Sequence, residues 1–489
     1  MAKNSKLSPE NLELLGVKRL AKLLSDAAQR TPVLNQTLLT ELASAGGPKQ
    51  AAASIRKRLK TIARSKTFIN WQNRGVLLGD LQTQLQLIKD HVAEQDPTEA
   101  SGLLWEFTAL ANGIFERCDD SSGAVIGVFR NAVQALGEVE ARAKSAPQSL
   151  ANRISDALLG NDYGQSDGLV QVLHAALGAA GLTCLKTAMR DVLSEEKPEI
   201  PQSERKVLGW SPQGPFYQDD HRHSSRKRSA EMALRDIADA QGDVDAFAAS
   251  YDAKTRKVPG IAADIAERLL KANRAEEALV ALHGAETAGS RSGKNNWLDY
   301  FQPDLSWENA MIATLVVLGR RKDAQDMRWQ CFERHLSVQH LQDHLKNLQD
   351  FEDAGAEERA LTFVERHEMK EMALWFLVKW PALHHASRLV LRHAGNWDGN
   401  SYETLAHAAE TLSGRHPLAA TLLLRTMIDF TLQNARSTRY KHAARHLLEC
   451  VSLAAHVSDC QGQENHETYV QNLKLAHAKK ASFWDCVNS

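Results

Sequence analysis

Four short strings in the second half of the chain share one arrangement, and they constrain the fold more than any other feature. They are Ala272-Asn273-Arg274-Ala275-Glu276-Glu277-Ala278-Leu279, Leu318-Gly319-Arg320-Arg321-Lys322-Asp323-Ala324, Ala354-Gly355-Ala356-Glu357-Glu358-Arg359-Ala360-Leu361 and Ser413-Gly414-Arg415-His416-Pro417-Leu418-Ala419. In each, Gly or Asn is suited to end a helix in the left-handed conformation, and polar residues turn the chain. An alanine five residues later lets a second helix approach the first closely. The four alanines are 46, 36 and 59 residues apart. Tetratricopeptide and HEAT-like arrays repeat every 34 to 47 residues or so, and the longest interval leaves room for a corner the sequence does not mark. A strand-rich fold would not repeat helix corners in this way.

The rest of the chain is also punctuated as helix. Ser8-Pro9, Gly46-Gly47-Pro48, Asp96-Pro97 and Ala146-Pro147 each read as a helix start, because Pro fits the first helical position and biases the residue before it away from helix. Leu12, Leu15, Leu20, Leu23 and Leu24 fall near the spacing of one buried face. Strand-like alternation is nearly absent, and aromatics make up only 6%. The expected fold is all-α: an α-solenoid of tetratricopeptide-like helical repeats preceded by an N-terminal helical region.

Four prolines between residues 198 and 215 mark a seam. The expected organisation is an N-terminal helical region over 1–195, a Pro-rich linker or strap over 196–225 and a helical-repeat domain over 226–489. A second break runs from Gly284 to Ser306. The formal net charge of -1 removes the simplest electrostatic argument for a nucleic-acid or membrane-surface protein. Six scattered cysteines with no CxxC pair read as reduced thiols. With no signal peptide and no run of about 18 apolar residues in view, a cytoplasmic protein without membrane insertion is expected.

Several segments resemble an uncharacterised bacterial helical family, a domain of unknown function. They include Leu104-Trp105-Glu106-Phe107 with Asp119-Asp120-Ser121-Ser122-Gly123, Ala238-Asp239-Ala240-Gln241-Gly242-Asp243-Val244-Asp245 and Arg268-Leu269-Leu270. Further on come Ala419-Ala420-Thr421-Leu422-Leu423-Leu424-Arg425, the run from Arg439 to Cys450, and His477-Ala478-Lys479-Lys480 before Phe483-Trp484. The resemblance implies a helical-repeat fold and no assigned activity. The C-terminal half is also similar to the helical body beside SWIM zinc fingers. The finger's Cys-x-Cys and Cys-x-His are missing, so zinc binding is not implied.

The segment from Arg439 to Cys450 is the richest in candidate chemistry. His442, His446 and Cys450 stand at i, i+4 and i+8, a spacing that stacks three potential metal ligands along one helical face. A solvated basic face with Cys450 packed as a small apolar group competes with that reading. Arg425, Arg439, Tyr440, His442, Arg445 and His446 form the candidate partner- or phosphate-binding set, within a wider cationic group that includes Arg415, Arg436 and Lys441. Ile55 to Lys66 is a second basic run, amphipathic through Ile55, Leu59 and Ile62, and His221 to Arg228 a third that reads as solvated linker. Asp119-Asp120-Ser121-Ser122-Gly123 reads as a cap for the following helix. Trp375 and Trp380 are expected in the core between helices. Trp297, Trp307 and Trp397 either pack at corners or line a ligand surface.

No Walker loop, GxGxxG, GxSxG or HExxH occurs, so no residue stands out as nucleophile or base and no cofactor is expected. The sequence favours a non-enzymatic scaffold that binds a protein or peptide partner on the concave face of a helical array. The alternatives are a nucleic-acid-binding protein using the basic faces and a metal-dependent enzyme centred on His442, His446 and Cys450.

Overall fold

The computed structural model describes residues 8–31, 34–35, 38, 47–197, 199–212, 214–285, 304–349 and 351–488. Trp297 and the break over 286–303 lie outside them. The described chain is all-α apart from one short hairpin, and it divides into two compact units, Met1–Asp252 and Ala253–Ser489.

In the first unit the described helices are α1 (Pro9–Glu13), α2 (Val17–Arg30), α3 (Pro48–Arg64), α4 (Arg74–Leu87), α5 (Pro97–Thr108), α6 (Ala111–Phe115), α7 (Ala124–Ala143), α8 (Pro147–Leu159), α9 (Leu169–Ser194), α10 (Gln218–Gln241) and α11 (Val244–Ala249). The Pro signals hold: α3, α5 and α8 each begin on the proline that the sequence marks. The Asp96 side chain accepts from the Glu99 N–H at 3.0 Å, closing the first turn of α5. Asp120 caps α7, accepting from the N–H groups of Val125 (3.0 Å) and Ile126 (2.8 Å). One core runs from Ala51 to Ile237, with Phe129 of α7 at 5.4 Å from Phe107 and 5.6 Å from Phe115.

The seam is neither a linker nor a boundary. Residues 207–217 form an antiparallel hairpin, β1 (Val207–Ser211) with β2 (Gly214–Tyr217), in which Gly209 faces Phe216. A Cβ at Gly209 would stand 2.6 Å from the Phe216 ring, so any side chain there would have to push that exposed ring aside. Arg205 anchors the strap, its guanidinium 3.8 Å from the Tyr217 ring centre and hydrogen-bonded to Asp219 at 3.0 Å. His221 to Arg228 is helical, the opening turns of α10, which packs on α9. The two units therefore divide near Asp252, not near residue 226.

Helix α9 corrects a second expectation. By length and composition Leu169–Ser194 is apolar enough to cross a membrane. It carries a non-helical residue, Gly178 (φ 56, ψ -173), and buries Leu173, Leu177, Leu185 and Met189 while packing against α7, α8 and α10.

The second unit contains α12 (Pro259–Lys271), α13 (Ala275–Gly284), α14 (Ser306–Val317), α15 (Arg321–His335), α16 (Val338–Lys346), α17 (Asp353–Glu365), α18 (Lys370–Lys379), α19 (Leu383–Arg392), α20 (Tyr402–Leu412), α21 (Pro417–Gln433), α22 (Tyr440–Ala454), α23 (His466–His477) and α24 (Ala481–Asn488). From α12 to α23 each described helix packs on the next described one, and over α17 to α21 also on the next but one; α24 closes the array by packing on α22. That nearest-neighbour pattern defines a helical-repeat array.

The corners are made as expected at Asn273 (φ 58) and Gly319 (φ 73). Behind them the Arg274 N–H reaches the Leu269 carbonyl (2.8 Å), and the Arg320 N–H reaches the Leu315 carbonyl (2.9 Å). This is the bond that closes a helix C-terminus over a left-handed residue. All four alanines are buried: Ala278, Ala324, Ala360 and Ala419. The glycine half of the motif fails at two corners. Gly355 lies inside α17, and the left-handed residue of the preceding turn is Phe351 (φ 73). Gly414 sits in its turn without a left-handed conformation. The unmarked corner exists: the Ala382 N–H bonds the Leu377 carbonyl (2.9 Å), and Ala386, five residues after Pro381, is buried.

Candidate functional site

Alternate helices of the array in the second unit, α18, α20 and α22, are linked by side-chain contacts. In α18 six residues (Met372, Ala373, Leu374, Phe376, Leu377 and Val378) are buried. Trp375 is not: it is 38% exposed, which overturns its expected place in the core. Its ring lies 5.6 Å from that of His407 on α20. Trp380 does pack as expected, stacked on Phe376, and its indole N–H donates to Glu357 at 2.7 Å.

Tyr402, at the first position of α20, gathers three of the candidate residues, His442, Arg445 and His446. Its ring stands 6.1 Å from His442 and 5.6 Å from His446. Its hydroxyl lies 3.1 Å from His446 Nε2 and accepts from Arg445 Nη2 at 3.5 Å. Arg439 Nη1 donates to the Asn400 side chain at 3.3 Å. Arg445 and His442 are exposed, Arg439 is half-buried, and His446 is buried. Nothing in the sequence singles out Tyr402 or His407. Their position on the helix that follows Trp397 is the one signal it offers.

The metal ladder does not form. Burial holds the His446 imidazole below its ordinary value, and its two nitrogens face Tyr402 and Glu449 (3.4 Å). Cys450 turns into the core beside the Thr421 carbonyl, and burial pushes its thiol up to about 12, which leaves it protonated and inert. His442 points outward. Among the described residues no three His, Cys, Asp or Glu side chains are placed to hold a metal ion.

Two further candidates are withdrawn from the surface. Arg425 is buried, its guanidinium 4.4 Å above the Tyr469 ring and donating to the Glu464 carbonyl at 2.6 Å. The Tyr469 hydroxyl donates to Asp429 (2.8 Å), whose carboxyl is raised by burial. Tyr440 is buried edge-on to Phe483. The expected cationic set is thus split between a surface group (Arg439, His442, Arg445) and an interior one.

Helices α17 and α19 hold a network that sequence reasoning missed. Glu365 is buried and accepts from Arg388 (2.6 Å) and His385 Nδ1 (3.0 Å). Arg392 donates to the same carboxylate and, at 2.8 Å, to the Glu365 carbonyl. Against its burial, these partners hold the Glu365 carboxyl below its ordinary value. The basic spacing His385, Arg388, Arg392 was a signal in plain view, but the carboxylate that organises it comes from another helix.

Of the remaining tryptophans, Trp397 is core, donating to the Val390 carbonyl (3.3 Å). Trp307 lines a cleft of about 470 Å³ with Met311, Leu315, Arg320, Asp326 and Met327.

No curated protein matches the chain. A solved structure described as a circular tandem repeat protein with novel repeat topology and enhanced subunit contact surfaces aligns over 94% of this chain and 98% of its own, at 12% identity. Its TM-score is 0.15, a value at which the backbones do not superpose. A family model matches residues 2–486. With nearly the whole length covered, the chain belongs to the family of unknown function DUF6880.

Proposed function

We propose that this is a non-catalytic interaction scaffold of the cytoplasm, whose second unit binds a protein or extended peptide along the surface of α18, α20 and α22. The observation that supports it best is Trp375, a large aromatic more than a third exposed within a stretch, Met372 to Val378, whose other residues are all buried. A tryptophan buries on the order of 200 Å² of surface when fully covered, so a partner that covered the exposed part of this ring would gain from doing so. Aromatic and Arg side chains are also the commonest anchors of protein interfaces. Trp375 and His407 offer an apolar ledge, and Arg439, His442 and Arg445 add donors to one side of it. A partner with an apolar anchor residue flanked by carboxylates fits that pattern.

The test is affinity purification of the tagged full chain from its native cells after nuclease treatment, with Trp375→Ala and Arg445→Ala as matched controls. The expected result is a specific protein retained by the wild type and lost from both variants. If the same proteins are recovered from wild type and variants, this is not the binding surface.

A further inference from the structure

The first unit carries a second, unrelated surface. Helix α3 buries Ile55, Leu59 and Ile62, and on its outer side Lys57, Lys60 and Arg64 are exposed at i, i+3 and i+7. Arg56 and Arg58 are engaged in ion pairs, Arg56 with Glu99 (2.9 Å) and Glu106 (2.7 Å), Arg58 with Asp80 (2.6 Å). Among the described residues no carboxylate lies within ion-pair distance of Lys57, Lys60, Arg64 or the exposed Lys66 that follows.

The chain then enters a loop that displays two aromatic rings. Phe68 is 67% exposed and Trp71 is 64% exposed. Ordinary surface loops do not present two such rings, since each forfeits a large hydrophobic gain. Nor is the loop loosely attached. The Ile69 N–H bonds the Arg117 carbonyl (2.8 Å), and the Asp119 N–H bonds the Ile69 carbonyl (3.0 Å). The buried Arg117 guanidinium donates to the carbonyls of Ile62 (3.2 Å) and Thr67 (3.3 Å). Arg74 fastens the far end through the Asp119 carbonyl at 3.0 Å. Between these anchors, Asn70 closes a tight turn by accepting from the Asn73 N–H at 3.0 Å.

We propose that residues 57–73 form a binding site for single-stranded nucleic acid, with Phe68 and Trp71 stacking on bases and Lys57, Lys60, Arg64 and Lys66 meeting the phosphates. A cationic track leading to rigidly held aromatic faces is the combination that binds unpaired strands without strong sequence preference. The two other classes that such a surface suggests fit less well. The amides of Asn70, Gln72 and Asn73 alternate with the rings, which suits base edges and would be dragged against acyl chains if the loop entered a bilayer. A duplex keeps its bases stacked inside and would leave both rings unused.

The test uses the full-length protein and fluorescein-labelled oligo-dT and oligo-U of about 20 nucleotides, long enough to span one such site, read by anisotropy between about 50 and about 300 mM salt. Binding is expected to weaken as salt rises. Phe68→Ala with Trp71→Ala together are expected to cost about thirtyfold or more in affinity, since each stacked ring is worth a factor of about five or more. Lys60→Ala with Arg64→Ala should flatten the dependence of log K on log salt by about 0.7 for each phosphate that no longer meets a cation. Both pairs are on the surface, and an unchanged melting temperature confirms that they fold; Trp375→Ala should bind as the wild type does. The proposal is overturned by no binding at the lowest salt, by affinity that the aromatic pair does not change, or by equal affinity for a duplex of the same length. Retention on phosphatidylserine vesicles that depends on Phe68 and Trp71, without oligonucleotide binding, would overturn it in favour of a membrane surface.

Discussion

Replacing Phe332 tests the array at its most informative joint. The ring is fully buried on α15, and its centroid lies 5.2 Å from Trp329, 5.9 Å from Phe363 on α17 and 5.6 Å from Phe376 on α18. One side chain therefore ties three helices together. Truncation to alanine removes its buried area and leaves a cavity, which costs about 3–5 kcal/mol at such sites. Leucine restores most of the apolar volume but none of the three ring–ring contacts, each worth about 0.5–1.5 kcal/mol, so Phe332→Leu should cost about 1.5–4.5 kcal/mol. Urea unfolding gives the totals, and hydrogen exchange read by mass spectrometry gives their location. In an array held by nearest neighbours, protection should fall most in α15, α17 and α18 and least in α23. A Phe332→Ala loss below about 1 kcal/mol, well under the cavity cost, or equal loss of protection in α18 and α23, would refute the reasoning.

Two other outcomes follow from particular contacts. A Cβ at Gly399 would stand 2.4 Å from Phe430 Cβ and 2.5 Å from the Thr426 carbonyl, so Gly399→Ala must push the loop before α20 off α21. The expected cost is about 1–3 kcal/mol, the usual penalty for overpacking, measured by urea midpoint; a neutral substitution would mean that the loop is free to shift. His340, His344, His416, His446, His466 and His477 are all held below the ordinary 6.5, with burial the largest cause. The unfolded chain then binds more protons than the folded one once the pH falls below about 6.5, so stability of the second unit should decline from there and level off below the folded values. Urea midpoints across that range, from neutral to mildly acidic pH, check this, and a flat profile would contradict it.

What the sequence made legible was set by how local the determinant is. A corner depends on a few consecutive residues, so Asn273 and Gly319 were found with their alanines. Gly355 misled because an alanine-rich string looks alike at a corner and in a first turn. The Pro381 corner escaped because it uses no glycine. The prolines over 196–225 leave linker and ordered strap equally open, because what decides it is Arg205, on neither strand, pinning the segment to Tyr217 and Asp219. Site residues depend on neighbours far along the chain, and there legibility failed in both directions. His442 and Cys450 share a spacing, yet one is exposed and the other buried, Arg425 is drawn inside by Tyr469, and Tyr402, some 40 residues upstream, is the hub around which the surface group assembles.

The break at Gly178 has a consequence for the reach of the most apolar helix of the first unit. At about 1.5 Å per residue, the stretches on either side of it are rods of about 14 Å and about 24 Å, and a hydrocarbon slab is about 30 Å deep. Within the fold, then, the greasy segment is two struts, each shorter than the gap between the headgroup layers.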